Sequence, residues 1–361
     1  MDRALGDSTV ESPSYPLVIV MSPDPALRLT EIAAAPGLLP ERGEALLAEL
    51  RRHLPFDAAW IALAEPFDSG YVSLASTALD QSTVQYLSGP KNAHDIEVTG
   101  LNRDSAPLSP SDLPYPVEEL PTWSECLIPT GIHEALAVPL FAPGPRHVGF
   151  MALLTSDKKP PAEATRDHLG HLAPVIAQGI DPVRTLLTAA RVVQSATAGV
   201  LLSIDGDVAP LPGIGDDPLL ARGSGVLDAA RAAFTEGHIY TSFMWPRGGT
   251  HAPDGHVRVT VLSGTDVEAR VLPGAVLLSP SGDLLGLTPR ELEVLGMLVE
   301  GWTNQEIASA LVVAPRTVAA HVEHILVKLG AASRTLAAVR AVRTGLFVPA
   351  GSMTSGDRQI N

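Results

Sequence analysis

The strongest constraint on this chain is a series of three closely spaced helix starts between residues 287 and 346. Thr288-Pro289-Arg290-Glu291 supplies a capping side chain, a proline suited to the first helical position and a glutamate three residues after the cap. The apolar stripe Leu292, Leu295, Leu298 and Val299 follows at helical spacing. Gly301 ends that helix, and Thr303-Asn304-Gln305-Glu306 repeats the capping box ahead of Ile307, Ala308 and Leu311. After a tight connection at Val312-Val313-Ala314, Pro315 opens a third helix with Val318, Val322, Ile325 and Leu329 on one stripe and Gly330 as its stop. Arg316, Ala319, Ala320, Glu323, His324 and Lys328 fall on the opposite face. Three helices with a short turn between the second and third predict a helix-turn-helix, whose third helix lies in a DNA major groove.

Charge at first argues against nucleic acid, since the whole chain carries a formal −15. Residues 287–346 nevertheless hold six basic and five acidic side chains, a net of +1, so the −16 sits elsewhere. An acidic body repels phosphate, and any DNA contact has to come from a local surface rather than from the global field.

The same segment resembles the LuxR-type regulators through Leu287-Thr288-Pro289-Arg290-Glu291, Glu300-Gly301, Thr303-Asn304, Glu306-Ile307-Ala308, Pro315-Arg316-Thr317-Val318, His321-Val322, Ile325-Leu326, Lys328-Leu329-Gly330 and Ser333-Arg334-Thr335. The resemblance implies that Thr303, Asn304, Arg316, Thr317 and Lys328 hold phosphates. It also implies that Ala319, Ala320 and Glu323 face base edges, with His324 on the same surface. The sequence departs from the family at three points: it has Ala314 for the usual serine, Val312 for the usual glycine, and Ala319 for a basic or polar residue. Losing the capping oxygen at Ala314 should cost about 0.5 to 2 kcal/mol. Glu323 repels the groove unless it accepts from a cytosine amino group. A final helix carries Leu336, Val339 and Val342 on one stripe. By resemblance the stripe is a dimer face, and packing against its own bundle is the alternative.

Upstream, apolar spacing predicts a helix over residues 41–54, stopped by Pro55, and hairpins pairing 58–64 with 71–75 and 135–141 with 147–154. Five prolines in 107–121 predict a long irregular loop. Helical spacing resumes at Leu169, Leu172 and Ile176 and again at Val183, Leu187 and Ala190, with Pro174 and Pro182 expected to kink or split the rod. This layout is that of a small α+β sensor. It also resembles the GAF family through Pro55-Phe56-Asp57-Ala58-Ala59-Trp60, Leu113-Pro114, Leu120-Pro121-Thr122-Trp123 and Arg146-His147-Val148-Gly149-Phe150. Trp60, Tyr71, Trp123 and Phe150 are candidates to line a pocket there, with ordinary core packing as the alternative. A third unit reads as strands at 199–204, 239–245, 256–262 and 276–279 around a helix at 226–234, an arrangement that looks PAS-like.

The chain is therefore expected to be multidomain: an arm over 1–27 with an apolar stretch at 17–21, a GAF-like sensor over 28–182, a PAS-like α+β unit over 183–284, an all-α four-helix LuxR-type domain over 285–348 and a disordered tail over 349–361. Caps and stripes complete within the segment suggest that a fragment from about residue 285 folds alone. Catalysis has no candidate residues: neither a phosphate-binding loop nor a nucleophile elbow occurs, and the 17–21 stretch lacks the later residues of a phospho-receiver. His168 and His171 lie three apart without a third ligand, so neither a metal nor a cofactor is expected. No apolar run reaches the length of a membrane span, no secretory signal opens the sequence, and the lone Cys126 fits a reducing compartment. The resulting expectation is a cytoplasmic, homodimeric transcription regulator that binds double-stranded DNA under control of a small effector. The alternative is an interaction protein whose helix-turn-helix binds DNA weakly or not at all.

Overall fold

The computed structural model describes residues 25–350 apart from 145, 194, 236–237, 250–251 and 265–273. The apolar stretch at 17–21, most of the expected arm and residues 351–361 lie outside the described residues.

The first unit is a four-stranded antiparallel sheet, with β1 (Ala58–Ala64), β2 (Tyr71–Thr77), β3 (Glu134–Ala142) and β4 (Arg146–Thr155) in the order β2-β1-β4-β3. Alternate side chains of a strand point to opposite faces, so Ala59, Ile61 and Leu63 face one way and Ala58, Trp60 and Ala62 the other. Both faces are covered, which explains why β1 reads as an unbroken apolar run. On one side pack α1 (Pro25–Ala34), α2 (Leu39–His53) and α5 (Glu163–Ile180). On the other lie α3 (Gln81–Leu87), α4 (Pro90–Thr99) and a helical turn at Thr122–Leu127. α1 begins at Pro25, inside the stretch expected to be an arm. It forms because Leu29 and Ala33 bury against α2 and α5.

α5 runs through Pro174 as one helix, so of the kink or split expected there the split does not occur. Pro174 faces solvent while Leu169, Leu172, Ala173 and Ile176 are buried, so packing of the inner face outweighs the lost backbone hydrogen bond. Asp181-Pro182 does split the rod. α6 (Val183–Val192) then packs on the next sheet through Val183, Leu186 and Ala190.

That sheet contains β5 (Ala198–Leu202), β6 (Val208–Pro210), β7 (Tyr240–Pro246), β8 (His256–Leu262) and β9 (Gly274–Pro280), all antiparallel in the order β6-β5-β9-β8-β7. One face meets α7 (Gly225–Thr235) through Val226, Leu227 and Ala230. The other face is shared: α6 covers Leu201, Ala275 and Leu277, while Ser242, Met244, Arg258 and Ser279 turn toward the helical module.

The module consists of α8 (Pro289–Val299), α9 (Asn304–Ala310), α10 (Pro315–Leu329) and α11 (Arg334–Thr344). α8 is buried on all sides rather than along the single stripe expected, because the segment after α11 covers its far face. Val348 N donates to Leu292 O at 3.1 Å, and a Cβ on Gly296 would lie 1.8 Å from Val348 O. Pro349 and Ala350 therefore do not belong to a free tail, and Ala350 sits in the module's core. That core also contains Met244 of β7, fully buried, so the caps and stripes within 285–348 do not complete it alone. Met244 N donates to Phe347 O at 2.8 Å, and Arg258 donates to Thr344 O at 2.7 Å. Gly345 sits at φ +66, where a Cβ would come within 2.5 Å of Ser242 Oγ.

Candidate nucleic-acid interface

Local chemistry fixes each helix start as the spacing requires. Thr288 Oγ1 accepts from Glu291 N at 3.3 Å while Glu291 Oε2 accepts from Thr288 N at 2.8 Å, and Thr303 and Glu306 repeat the reciprocal pair. At the start of α10, Ala314 has an extended cap backbone but no side-chain oxygen to offer, so the first turn lacks a side-chain cap and Thr317 N donates to Ala314 O at 2.9 Å instead. Between α9 and α10 the chain turns through residues 311–314. Val312 stands at φ 52 and 90 % exposed, and Val313 N donates to Ala308 O at 3.0 Å to close the helix end.

The two helices meet at 110°, within the range of a helix-turn-helix, and the four-residue turn matches its length. Val318, Ile325 and Leu329 are buried and Val322 only partly so, which leaves Arg316, Thr317, Ala320, Glu323 and His324 exposed and Ala319 half-exposed. Thr303 is exposed at the cap of α9, and Asn304 is half-exposed at its first position. The exposed faces of α9's start and α10 thus carry the sequence-derived candidates.

Two of these candidates are drawn toward α8. Glu291 is almost fully buried, and its Oε2 also accepts from Lys328 Nζ at 2.6 Å; His324 Nδ1 lies 3.8 Å from Oε1. Burial disfavours the charge on Glu291, but hydrogen bonds from Lys328 and Thr288 and the nearby ammonium outweigh it and hold the carboxyl below its ordinary range. Lys328 therefore reaches a phosphate only by exchanging Glu291 for it. Arg290 binds Glu293 and Leu311 O, and Arg334 binds Trp302 O. The Arg316 side chain, in contrast, makes no hydrogen bond or ion pair with the described residues. On α11, Ala337 and Ala341 face inward while Leu336, Val339 and Val342 are exposed, so the stripe is not spent on its own bundle.

In the first unit, Trp60, Trp123 and Phe150 line one cavity, with Trp60 and Phe150 edge to face at 5.2 Å between centroids. Tyr71 stands outside that cavity, packed on Phe150 and hydrogen-bonded to His147 at 3.2 Å. Asn92 and Asp95 from α4, which sequence patterning did not single out, complete the cavity with Thr122, quoted in the sequence motif but not as a pocket residue. The Gly89-Pro90 pair at the start of α4 was the available signal. His171 binds Asp167 O of its own helix, and among the described residues no group of three His, Cys, Asp or Glu could hold a metal. Cys126 is buried, which pushes its thiol up.

Residues 285–341 match the family described as bacterial regulatory proteins, luxR family. The helical module is a LuxR-family domain. Among curated relatives, the transcriptional regulatory protein LnrK of Bacillus subtilis (strain 168) is 43 % identical over 77 residues, covering 21 % of this chain and 35 % of the relative. The chain thus spans about a third of that relative's length. Two solved structures share an outline. The GAF domain of an Acinetobacter phosphoenolpyruvate-protein phosphotransferase has 16 % identity and a TM-score of 0.33, over 45 % of this chain and 93 % of that one. Escherichia coli SdiA has 15 % identity and a TM-score of 0.31, over 90 % and 98 %. Outside the LuxR-family domain, the architecture rests on the sheets and helices described above.

Proposed function

We propose that the chain is a DNA-binding transcription regulator whose two α+β units control the LuxR-family domain by binding a small ligand or partner. One observation carries the reading: α9 and α10 cross at 110° over a four-residue turn, with Arg316, Thr317 and Ala320 exposed on α10. Thr303, Asn304, Arg316, Thr317 and Lys328 take phosphates, while Ala319, Ala320, Glu323 and His324 face the groove. The exposed stripe Leu336, Val339 and Val342 joins two copies, so that two recognition helices meet two half-sites. A regulator of this kind acts in the cytoplasm. The sensor's candidate ligand site is the cavity at Trp60, Trp123 and Phe150.

A gel-shift titration against genomic fragments over a range of salt tests the reading. The wild type is expected to bind with a negative log–log salt slope, and Arg316→Ala to reduce that slope by about one while weakening all sequences alike. A second reading, an interaction protein with little DNA affinity, is favoured by Glu323 on the exposed face and by Lys328 held on Glu291. Absence of salt-dependent binding would establish it.

A further inference from the structure

The cavity between the sheet and α4 is small, lined in part by aromatic groups and free of basic side chains, and these properties together select a chemistry. Its volume is about 80 Å³. At roughly 10 to 15 Å³ of such space per water-sized atom, that admits about five to eight non-hydrogen atoms. A nucleotide or an acylated messenger is several times too large. No Lys, Arg or His lines the cavity, so a phosphate or carboxylate would enter without a countercharge. Trp60, Trp123 and Phe150 instead present ring faces and edges suited to one flat ring.

The polar groups are committed except at one atom. Trp60 Nε1 donates to Ser73 Oγ at 2.9 Å, Asn92 Nδ2 to Leu87 O at 2.6 Å, and Thr122 Oγ1 to Asn92 Oδ1 at 3.2 Å. Asp95 is more than nine-tenths buried; its Oδ2 accepts from Thr122 N at 2.8 Å, and its Oδ1 receives no hydrogen bond from the described residues. With no donor of the described residues on it, that oxygen can accept from a guest that brings one. A cavity that served only as a packing defect would be wholly apolar and dry.

We infer that this cavity binds a neutral single-ring aromatic molecule of phenol size, stacked among Trp60, Trp123 and Phe150 and donating its hydroxyl hydrogen to Asp95 Oδ1. The inference rests on the ligand-responsive reading above and names the ligand class of that same site.

Isothermal titration calorimetry of the full chain with phenol, anisole, benzoate and adenosine monophosphate tests it without reference to DNA. Phenol is expected to bind at submillimolar concentration. Anisole, of similar shape but lacking the donor, should be at least about tenfold weaker, because it cannot make the hydrogen bond to Asp95 Oδ1. Benzoate and the nucleotide should give no binding heat. Ala152→Leu, which fills the cavity, should abolish phenol binding, with the circular-dichroism spectrum checking the fold; Asp95→Asn should reduce phenol binding about tenfold and leave anisole unchanged. Equal affinity for anisole and phenol would overturn the role of Asp95, and binding of the nucleotide, or no heat with phenol, would overturn the ligand class. Phenol binding by a chain that ignores DNA would defeat the regulator reading alone; DNA binding by a chain that ignores phenol would defeat this inference alone.

Discussion

Val312→Gly should make the helix-turn-helix more stable even though it removes a side chain. Val312 stands at φ 52, where an L-residue's Cβ crowds the following carbonyl at a cost of about 1 to 2 kcal/mol, and a branched Cβ worsens the crowding. At 90 % exposure its two methyl groups contribute little burial to set against that strain. Glycine removes the crowding but enlarges the unfolded ensemble, which costs about 0.5 to 1 kcal/mol. The net expectation is a gain of roughly 0.5 to 1 kcal/mol. Native-state amide hydrogen exchange of the full chain reads it directly: protection of the amides in α9 and the first turns of α10 should rise about two- to fivefold, since about 1.4 kcal/mol is tenfold. Val312→Asn, which tolerates the left-handed region, should show a smaller gain, and Val312→Ala little change because it keeps a Cβ. Exchange that is unchanged or faster in the glycine variant would show that the turn is not strained at this position.

Three further outcomes follow from the geometry. Ala314→Ser supplies the missing oxygen at the start of α10 and should stabilise that helix by about 0.5 to 2 kcal/mol, seen as slower exchange of the Arg316 and Thr317 amides. Gly345→Ala forces a Cβ to within 2.5 Å of Ser242 Oγ and 2.7 Å of Arg258 Nη1 in a positive-φ backbone. It should cost about 2 kcal/mol and raise exchange in both β7 and α11, whereas a purely local loss at α11 would count against the docking. Burial pushes His147 down to about 4, so below its ordinary 6.5 the unfolded chain binds a proton that the folded chain refuses. Stability of the first unit should therefore fall as pH drops from about 6.5 to 4, by of order 2 kcal/mol given the ring's partial exposure, and His147→Phe should flatten that slope in urea melts followed by Trp60 and Trp123 fluorescence.

Legibility in the sequence followed the locality of the determinants. The LuxR-family domain was readable because its determinants lie within four residues of one another: Thr288 with Glu291, Thr303 with Glu306, Pro315 at a first helical position. Strands β1 and β4 were readable as apolar runs because helices cover both faces of their sheet. Non-local contacts left no such trace. α1 was not anticipated, because what secures it is Leu29 meeting residues more than a hundred positions away in α5. Nor was α4, whose inward face carries Asn92 and Asp95, polar residues that blur the apolar period. Tyr71 looked equivalent to Phe150 as a pocket aromatic, yet its hydroxyl is taken up by His147 and it packs beside the cavity instead. Lys328 read as a free cation because Glu291 is 37 residues away in sequence.

Met244, which seals the helical core from the edge strand of the neighbouring sheet, changes what can be transplanted. A chimera cut at residue 285 leaves a methionine-sized hole in the helical core and strips Phe347 O of its backbone donor. The smallest portable unit therefore begins upstream of β7, and a recombinant fusion that respects the sheet should transmit any tilt of β7 to α11 as a rigid lever rather than through a slack tether.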